Sequence, residues 1–196
     1  MRQVVVATTN SGKASEFAEI LGSVATVVIP GELPLVAEGG ASLADNAFLK
    51  ARSAADYLGC DVVADDSGLF VAALGGEPGV HSARFAGPDC DDASNRAKLI
   101  SKLGGVSDRS AYFETVLCVC APSREMEDAA FFYGRCDGFI TDRERGDFGF
   151  GYDSIFMPVD GDGRTFGEMT AREKATMSHR ARAISHLRLW LAEGSQ

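Results

Sequence analysis

Short apolar runs alternate with longer segments in which apolar residues recur at helical spacing. The run Val4–Thr8 predicts a buried strand, and the polar residues 9–12 that follow predict a turn. The segment Lys13–Leu21 then has the pattern of an amphipathic helix, and Val24–Ile29 is a second apolar run that ends at Pro30-Gly31. This strand-helix-strand opening predicts an α/β fold.

The next part of the chain repeats this alternation. Residues 31–41 form a loop, after which Ser42 predicts an N-cap, with Asp45 in the capping-box position, for a helix that reaches about Leu58. A strand begins at Asp61, and a loop rich in Gly, Pro and Asp occupies residues 75–92. Asp91 or Asp92 caps a further helix, which reaches about residue 103.

The last part is predicted to open with two long strands, Ser110–Ala121 and Ala129–Ile140, that form a hairpin. A loop rich in Gly and aromatic residues, Gly146–Asp153, precedes a short strand at Ile155–Met157. The C-terminal section is helical, with one helix opened by Thr170 and Glu173 and another by Ser178. Because neither a repeat nor a linker is visible, residues 1–196 are expected to form a single bilobal domain.

The net charge of the chain argues against two classes of binding protein. A net charge of −9 and a pI near 4.8 argue against binding to nucleic acid or to a membrane surface, whereas a free nucleotide stays possible. The five cysteines show neither a zinc-site spacing nor a disulfide framework. The N-terminus becomes polar too early for a signal peptide, and no apolar run has transmembrane length. We therefore expect a cytoplasmic protein.

Two adjacent carboxylates, Asp65 and Asp66, follow the apolar pair Val62-Val63. We expect the strand to end there in a turn, with Asp-Asp-Ser-Gly outside it. Neighbouring carboxylates repel each other, and a divalent cation such as Mg²⁺ relieves that repulsion. One carboxylate would then hold the metal while the other handles a proton. A solvated turn is the alternative interpretation of this stretch.

The first turn of the chain has the composition of a phosphate site. Small hydroxyl side chains, a glycine, a lysine and the N–H groups of a helix N-terminus all favour an anion. The residues are Thr8, Thr9, Asn10, Ser11, Gly12 and Lys13. A P-loop is excluded, because Ala7 and Ala14 stand where that motif needs Gly and Ser or Thr. An ordinary capped helix start is the alternative.

Several blocks, in the same order along the chain, are similar to the Ham1/RdgB family of inosine/xanthosine triphosphate pyrophosphatases. The blocks are residues 8–13, Asp45-Asn46-Ala47 with Lys50-Ala51, Ala64–Leu69, Gly76–Phe85, Phe148–Asp153 and Ser178-His179-Arg180. Two positions depart from the family pattern: Asp45 stands where Glu is common, and Ser154 stands where Pro is common.

The resemblance implies an elongated mixed β-sheet flanked by helices, with two lobes and an active-site cleft between them. It also implies a homodimer and a Mg²⁺-dependent hydrolysis of ITP, dITP and XTP to the monophosphate and pyrophosphate, which cleanses the nucleotide pool. Asp66 matches the family's general base and metal ligand, Asp65 is its catalytic neighbour, and Glu38 matches a metal-binding carboxylate.

The substrate-binding residues follow from the same comparison and from their chemistry. Lys13, Lys50 and Lys174 supply positive charge for a triphosphate, and Ser67 donates to a phosphate or sugar oxygen. One wall of the base pocket is formed by Phe150, Gly151, Tyr152 and Asp153, where an aromatic ring offers a stacking face. His179 and Arg180 supply donors to the carbonyl oxygen at C6 of a non-standard purine. His81 is a candidate for loop structure or a dimer contact.

Three alternatives stay open on the sequence. The chain could be a related pyrophosphatase for modified pyrimidine nucleotides. It could be a nucleotide sensor that does not hydrolyse its ligand, although the retained carboxylate pair argues against this. It could also be a sugar-nucleotide or phosphate-binding module, which would not require the Ser-His-Arg block.

Overall fold

The computed structural model describes residues 2–22, 25–37, 39–89 and 91–194. Strands and helices alternate up to the third strand, and three strands and two helices close the described chain. The strands are β1 Arg2–Val6, β2 Ala25–Val28, β3 Val62–Val71, β4 Pro78–Gly79, β5 Ser110–Cys120, β6 Ala130–Ile140 and β7 Phe156–Pro158. The helices are α1 Ser11–Leu21, α2 Leu43–Leu58, α3 Asp92–Lys102, α4 Ala171–Lys174 and α5 His179–Glu193. None of these helices, within the described ranges, is long and apolar enough to cross a bilayer.

The strands form a mixed sheet with the order β2-β1-β3-β5-β6-β7, and β4 pairs with β3 outside this path. Strand β1 is parallel to both β2 and β3, whereas β4 is antiparallel to β3 and β7 is antiparallel to β6. The predicted α/β class and the mixed sheet are confirmed. The two strands of the predicted hairpin, β5 and β6, are neighbours in the sheet.

The chain forms two compact units, and strands β3, β5 and β6 each contribute to both. Unit 1 comprises Met1–Asp66, Thr115–Gly134 and Arg180–Gln196. Its core contains β1, α1 and α5, because the apolar faces of these elements bury their side chains together. The core residues include Val6, Phe17, Leu21, Leu117, Ile184 and Leu187.

Unit 2 comprises Ser67–Glu114 and Arg135–His179. Its core is richer in aromatic residues. The ring of Phe156 lies 4.6 Å from that of Phe113 and 5.3 Å from that of Phe166, measured between centroids. Aliphatic side chains complete this core: Leu69, Val71, Leu99, Leu103, Ile140 and Ile155.

Local capping signals determine where the helices begin. The Ser42–Asp45 capping box opens α2, and the Thr170–Glu173 box opens α4, as predicted. Asp91 caps α3, since its side chain accepts from the Ser94 N–H. These starts were predictable because each depends on residues within one turn.

Helix α1 begins two residues earlier than predicted. Asn10 is its N-cap, and the Asn10 side chain accepts from the Lys13 N–H at 3.0 Å. Ser11, Gly12 and Lys13 therefore belong to the first turn of the helix and not to a preceding loop.

The predicted turn at the paired carboxylates was wrong, because β3 runs without interruption from Val62 to Val71. Asp65 and Asp66 lie inside this strand, where lysine side chains neutralise them. The repulsion that favoured a turn is therefore relieved by partners distant in sequence. Smaller differences occur at β7, which begins one residue later than predicted, and in the loop 75–92, which contains β4 and a 3₁₀ turn at Ser82–Arg84.

Candidate active site

Asp65 and Asp66 are both buried in β3, with 3% and 6% of their surface exposed. Successive side chains of a strand point to opposite faces, so the two carboxylates have different surroundings. Lys13 of α1 places its Nζ 2.8 Å from Asp65 Oδ2, and Lys50 of α2 places its Nζ 2.7 Å from Asp66 Oδ1. Two helices of unit 1 thus each supply one cation to one carboxylate.

Asp65 has a second cationic partner. The Nε of Arg180, in the first turn of α5, lies 3.4 Å from Asp65 Oδ2, and the Arg180 Nη1 pairs with Glu16 of α1. Burial alone would raise the pKa of Asp65, but the charges of Lys13, Arg180 and Lys50 outweigh burial and hold the pKa well below its usual range. Asp65 is therefore a fixed anion at neutral pH and a poor proton acceptor.

The pKa values of Lys13 and Arg180 are shifted in opposite directions within this cluster. Burial lowers the pKa of Lys13, and the nearby charges of Arg180 and Lys50 add to this effect, whereas Asp65 opposes it. Burial would also lower the pKa of Arg180, but the carboxylates of Glu16 and Asp65 outweigh it and raise the pKa. An anionic ligand at Lys13 would stabilise the charged lysine, because it would add to the attraction that Asp65 supplies.

The partners of Asp66 include a lysine and an amide. The Nδ2 of Asn46 donates to Asp66 Oδ2 at 3.1 Å, and the Oδ1 of Asn46 accepts from the Gly40 N–H at 2.9 Å. Asn46 and Lys50 are four residues apart on α2, so they lie on one face of the helix and reach the same carboxylate. Asn46 was not among the predicted site residues, although its block had been noted and this spacing could have indicated it.

The turn before α1 has the arrangement expected of an anion site. Thr8 is buried and its Oγ1 accepts from the Asn10 N–H at 3.2 Å, while Thr9, Asn10 and Ser11 are exposed beside the N-terminus of the helix. Phosphate binding by these residues stays a prediction. Glu38, the predicted second metal ligand, lies outside the described residues, and Ser67 is half-buried in β3.

The aromatic loop, Gly146–Asp153, lies in unit 2 and is held by a buried ion pair. Asp153 Oδ2 accepts from Lys174 Nζ at 2.6 Å and from the Phe150 N–H at 2.9 Å. Lys174 Nζ also lies 4.8 Å from the centroid of the Phe150 ring, within range of a cation–π contact. Lys174 is thus a partner of the aromatic loop, and its contact with a triphosphate stays a prediction.

Two other predicted residues are packed inside unit 2. Tyr152 is buried and its hydroxyl donates to the Ser82 carbonyl at 2.8 Å; burial raises the pKa of that hydroxyl, and Asp92 adds to the shift. The His179 ring stacks on Phe113 with 4.5 Å between centroids. The Tyr152 side chain therefore belongs to the core, and its predicted contact with a base would require its backbone.

A cavity of about 220 Å³ lies against the aromatic loop. Arg96 of α3 and Glu144 form an ion pair at its edge, with Nε and Oε2 2.8 Å apart. The hydroxyl of Ser154 donates to the same Glu144 oxygen at 3.0 Å. The cavity is lined by Arg96, Glu144, Gly146, Asp147, Phe148, Gly149, Phe150, Gly151 and Ser154.

A family model described as the Ham1 family matches residues 4–190. The chain belongs to the Ham1 family. It is 46% identical over 188 residues to the dITP/XTP pyrophosphatase of Syntrophobacter fumaroxidans, covering 94% of this chain and 79% of that protein. It is 45% identical to the dITP/XTP pyrophosphatase of Geobacillus kaustophilus, covering 95% of this chain and 93% of that protein.

Solved structures agree with this membership. The Staphylococcus aureus Ham1 protein is 39% identical with a TM-score of 0.85, and each chain is covered completely. A HAM1 protein from Coxiella burnetii is 37% identical with a TM-score of 0.87, covering 99% of this chain and all of that one. The family and the fold predicted from the sequence are therefore confirmed.

Within this Ham1-family chain, the described residues hold no group of three or more His, Cys, Asp or Glu side chains arranged for a metal. The structure does bring together Lys13, Lys50, Asp65, Asp66 and Arg180 in unit 1. In unit 2 it brings together Phe150, Asp153 and Lys174. Glu16, Arg96 and Glu144 were missed, because their partners are remote in sequence. Asn46 was missed although its spacing from Lys50 could have indicated it.

Proposed function

We propose that this protein hydrolyses dITP, ITP and XTP to the nucleoside monophosphate and pyrophosphate, and thereby removes non-standard purine nucleotides from the nucleotide pool. The observation that carries the proposal is the pair of buried carboxylates, each held by a lysine, in a Ham1-family chain. Relatives named dITP/XTP pyrophosphatase support the choice of substrates.

In this proposal Asp66 orients and deprotonates the water that attacks the α-phosphorus, and the bond to the β-phosphate oxygen breaks. Lys13 and Lys50 neutralise charge on the triphosphate, together with the N–H groups at the start of α1. Asp65 stays ionised and orients Lys13. Positioning and charge neutralisation account for most of the catalysis of phosphoryl transfer, and this cluster is suited to both.

Mg²⁺ is the proposed cofactor, and Asp66 fits it. Its buried carboxylate supplies the hard oxygen ligands that Mg²⁺ prefers. Mg²⁺ normally takes one or two carboxylates from the protein and fills its other positions with water and substrate phosphates, so a protein cage of three ligands is not required. Asp66 and Glu38 would hold the ion, which would neutralise charge on the phosphates.

The base is proposed to be recognised by stacking and by donors. The Phe150 ring supplies a stacking face for a purine. His179 and Arg180 supply donors for a carbonyl oxygen at C6; adenine carries an amino group there, which leaves the donors unpaired and costs affinity. ATP is therefore expected to be a poor substrate.

The test is product analysis of the purified protein with dITP, ITP, XTP, GTP, ATP and a modified pyrimidine triphosphate, each with Mg²⁺ and with EDTA. We expect metal-dependent release of the monophosphate and pyrophosphate from the first three, with ATP and GTP largely intact. Guanine shares the C6 oxygen, so rejection of GTP would require a pocket wall that excludes its 2-amino group. Release of orthophosphate would show that a different bond is broken. Preferred hydrolysis of the modified pyrimidine triphosphate would favour a pyrimidine nucleotide pyrophosphatase instead. Binding without any product would favour a nucleotide sensor.

A further inference from the structure

Helix α3 holds both polar backbone atoms of Gly151 in the aromatic loop. The Gly151 N–H donates to Asp92 Oδ2 at 2.7 Å, and the Gly151 carbonyl accepts from Arg96 Nη1 at 2.8 Å. Asp92 and Arg96 are four residues apart, so they lie on the same face of α3, one turn from each other. We refer to these two side chains and Gly151 as the Gly151 clamp.

Arg96 is itself fixed by residues on either side of the aromatic loop. Its Nε donates to Glu144 Oε2, and the same oxygen accepts from the Ser154 hydroxyl. A planar guanidinium that donates to two acceptors at once has one preferred orientation, and its hydrogen bonds to a carboxylate are charge-assisted. Arg96 therefore ties residue 144, before the loop, to residue 151 within it.

The Gly151 clamp restrains the backbone beside Phe150. Asp92 holds the peptide plane that joins Phe150 to Gly151, and Arg96 holds the next plane. Gly151 has a φ of +60°, and nothing lies within 4 Å of the position that a Cβ would occupy. Local crowding thus does not fix Gly151. The hydrogen bonds from α3 hold Gly151 and add to those that Asp153 makes with the N–H and the carbonyl of Phe150.

We propose that Asp92 and Arg96 are positioning residues that hold the Phe150 ring in the orientation that stacks on the purine base. This inference rests on the proposed function of Phe150. Without the clamp, the ring would sample more orientations, and the substrate would have to order the loop when it binds. Such a loss weakens substrate binding more than it slows the chemical step.

The experiment measures kcat and KM for dITP, with the unfolding temperature, in Asp92→Ala and Arg96→Gln. Asp92→Ala removes the acceptor of the Gly151 N–H, and Arg96→Gln removes the charge-assisted bonds to the Gly151 carbonyl and to Glu144. A tenfold change in KM corresponds to about 1.4 kcal/mol. We expect KM to rise about tenfold in each variant while kcat stays within about twofold.

Two matched variants separate positioning from general stability. Asp92→Asn keeps an oxygen that accepts from the Gly151 N–H, and we expect it to restore a KM close to that of the wild type. Lys102 also lies on α3 but pairs with Glu77, outside the aromatic loop. We expect Lys102→Gln, which removes this ion pair, to leave KM unchanged. Unchanged KM in Asp92→Ala and Arg96→Gln would overturn the inference, and so would a fall in kcat that follows the unfolding temperature.

Calorimetric binding of dITP keeps this test independent of turnover. If the wild type bound dITP without hydrolysing it, the proposed function would fail. Weaker binding in Asp92→Ala and Arg96→Gln, with Asp92→Asn unaffected, would still support the clamp. Equal binding by the wild type, Asp92→Ala, Arg96→Gln and Asp92→Asn would refute the role of the Gly151 clamp and leave the proposed function untouched.

Discussion

Asp65 and Asp66 are adjacent in sequence but differ in their electrostatic surroundings. Asp65 is paired with Lys13 and Arg180, which hold it ionised, whereas Asp66 is paired with Lys50 and the amide of Asn46. Asp65 is a poor proton acceptor, because the neighbouring cations hold its pKa well below the usual range. The two carboxylates therefore divide their roles, with Asp66 as the proposed base and Asp65 as a fixed charge.

Replacing Asp66 with Asn should lower kcat for dITP by about 10²–10⁴-fold, the usual contribution of a general base. The amide keeps the shape of the side chain but cannot accept the proton from water. Steady-state kinetics with circular dichroism as a folding check would measure this. Asp128→Asn is the control, because Asp128 is an exposed partner of Arg124 in the same unit; equal activity of both variants would remove Asp66 from the mechanism.

Asp65 should make the free energy of unfolding decrease as the pH falls into the acid range. Its pKa in the folded protein lies below the ordinary 3.8, so its stabilising contribution is complete above that value and is lost as the pH falls through the folded pKa. Asp65→Asn should lower the free energy of unfolding at pH 7 by about 3 kcal/mol, because it breaks a buried ion pair. It should also flatten the dependence of stability on pH below 4.

Denaturant unfolding at pH 7, 4 and 3 would measure both effects. Exposed Asp137→Asn, whose partner is the nearby Arg135, provides a comparison in which little change is expected at pH 7. An Asp65→Asn variant that matched the wild type at pH 7, or lost stability equally steeply in acid, would contradict the role described for this carboxylate.

The residues of the candidate site were only partly predictable. The order of the motif blocks indicated the carboxylates and lysines, but it did not show that Lys13 pairs with Asp65 or that Lys174 pairs with Asp153. These contacts join positions 52 and 21 residues apart, and no local pattern reports them. Glu16 was missed for the same reason, since its partner Arg180 is 164 residues away.

At the scale of elements, helix starts were predictable and the extent of β3 was not. Capping residues such as Ser42 and Asp91 act within one turn, so their sequence pattern is sufficient. Adjacent aspartates are unusual inside a strand, and the pattern therefore favoured a turn at Asp65. Cations from other elements overrode that local preference.

The capping box of α2 leads to a prediction at this scale. Ser42 Oγ accepts from the Asp45 N–H at 3.1 Å, and Asp45 Oδ2 accepts from the Ser42 N–H at 3.0 Å. Ser42→Ala should lower the free energy of unfolding by about 1 kcal/mol, since an N–H at the helix start loses its acceptor. Denaturant unfolding would measure this loss against Ser53→Ala in the middle of α2. A larger loss in the Ser53 variant would contradict the argument.

For the whole molecule, we propose a homodimer, as the family resemblance implies. Large apolar side chains remain exposed in both units, including Leu35, Tyr57, Phe148 and Leu189. Light scattering after gel filtration should give twice the chain mass of 20.7 kDa. A mass of one chain across the micromolar range would contradict the proposal.

Neither unit is a continuous stretch of chain: unit 1 needs three segments and unit 2 needs two. A ribosome releases the chain from its N-terminus at about 5–20 residues per second. Asp65 therefore emerges well before Arg180, and unit 2 is fully synthesised before the last segment of unit 1 exists. During translation, Asp65 can pair with Arg180 only after nearly the whole chain has been synthesised, and α5 is the last element to join the core of unit 1. A ribosome that stalls before residue 180 would thus leave the apolar core of unit 1 exposed.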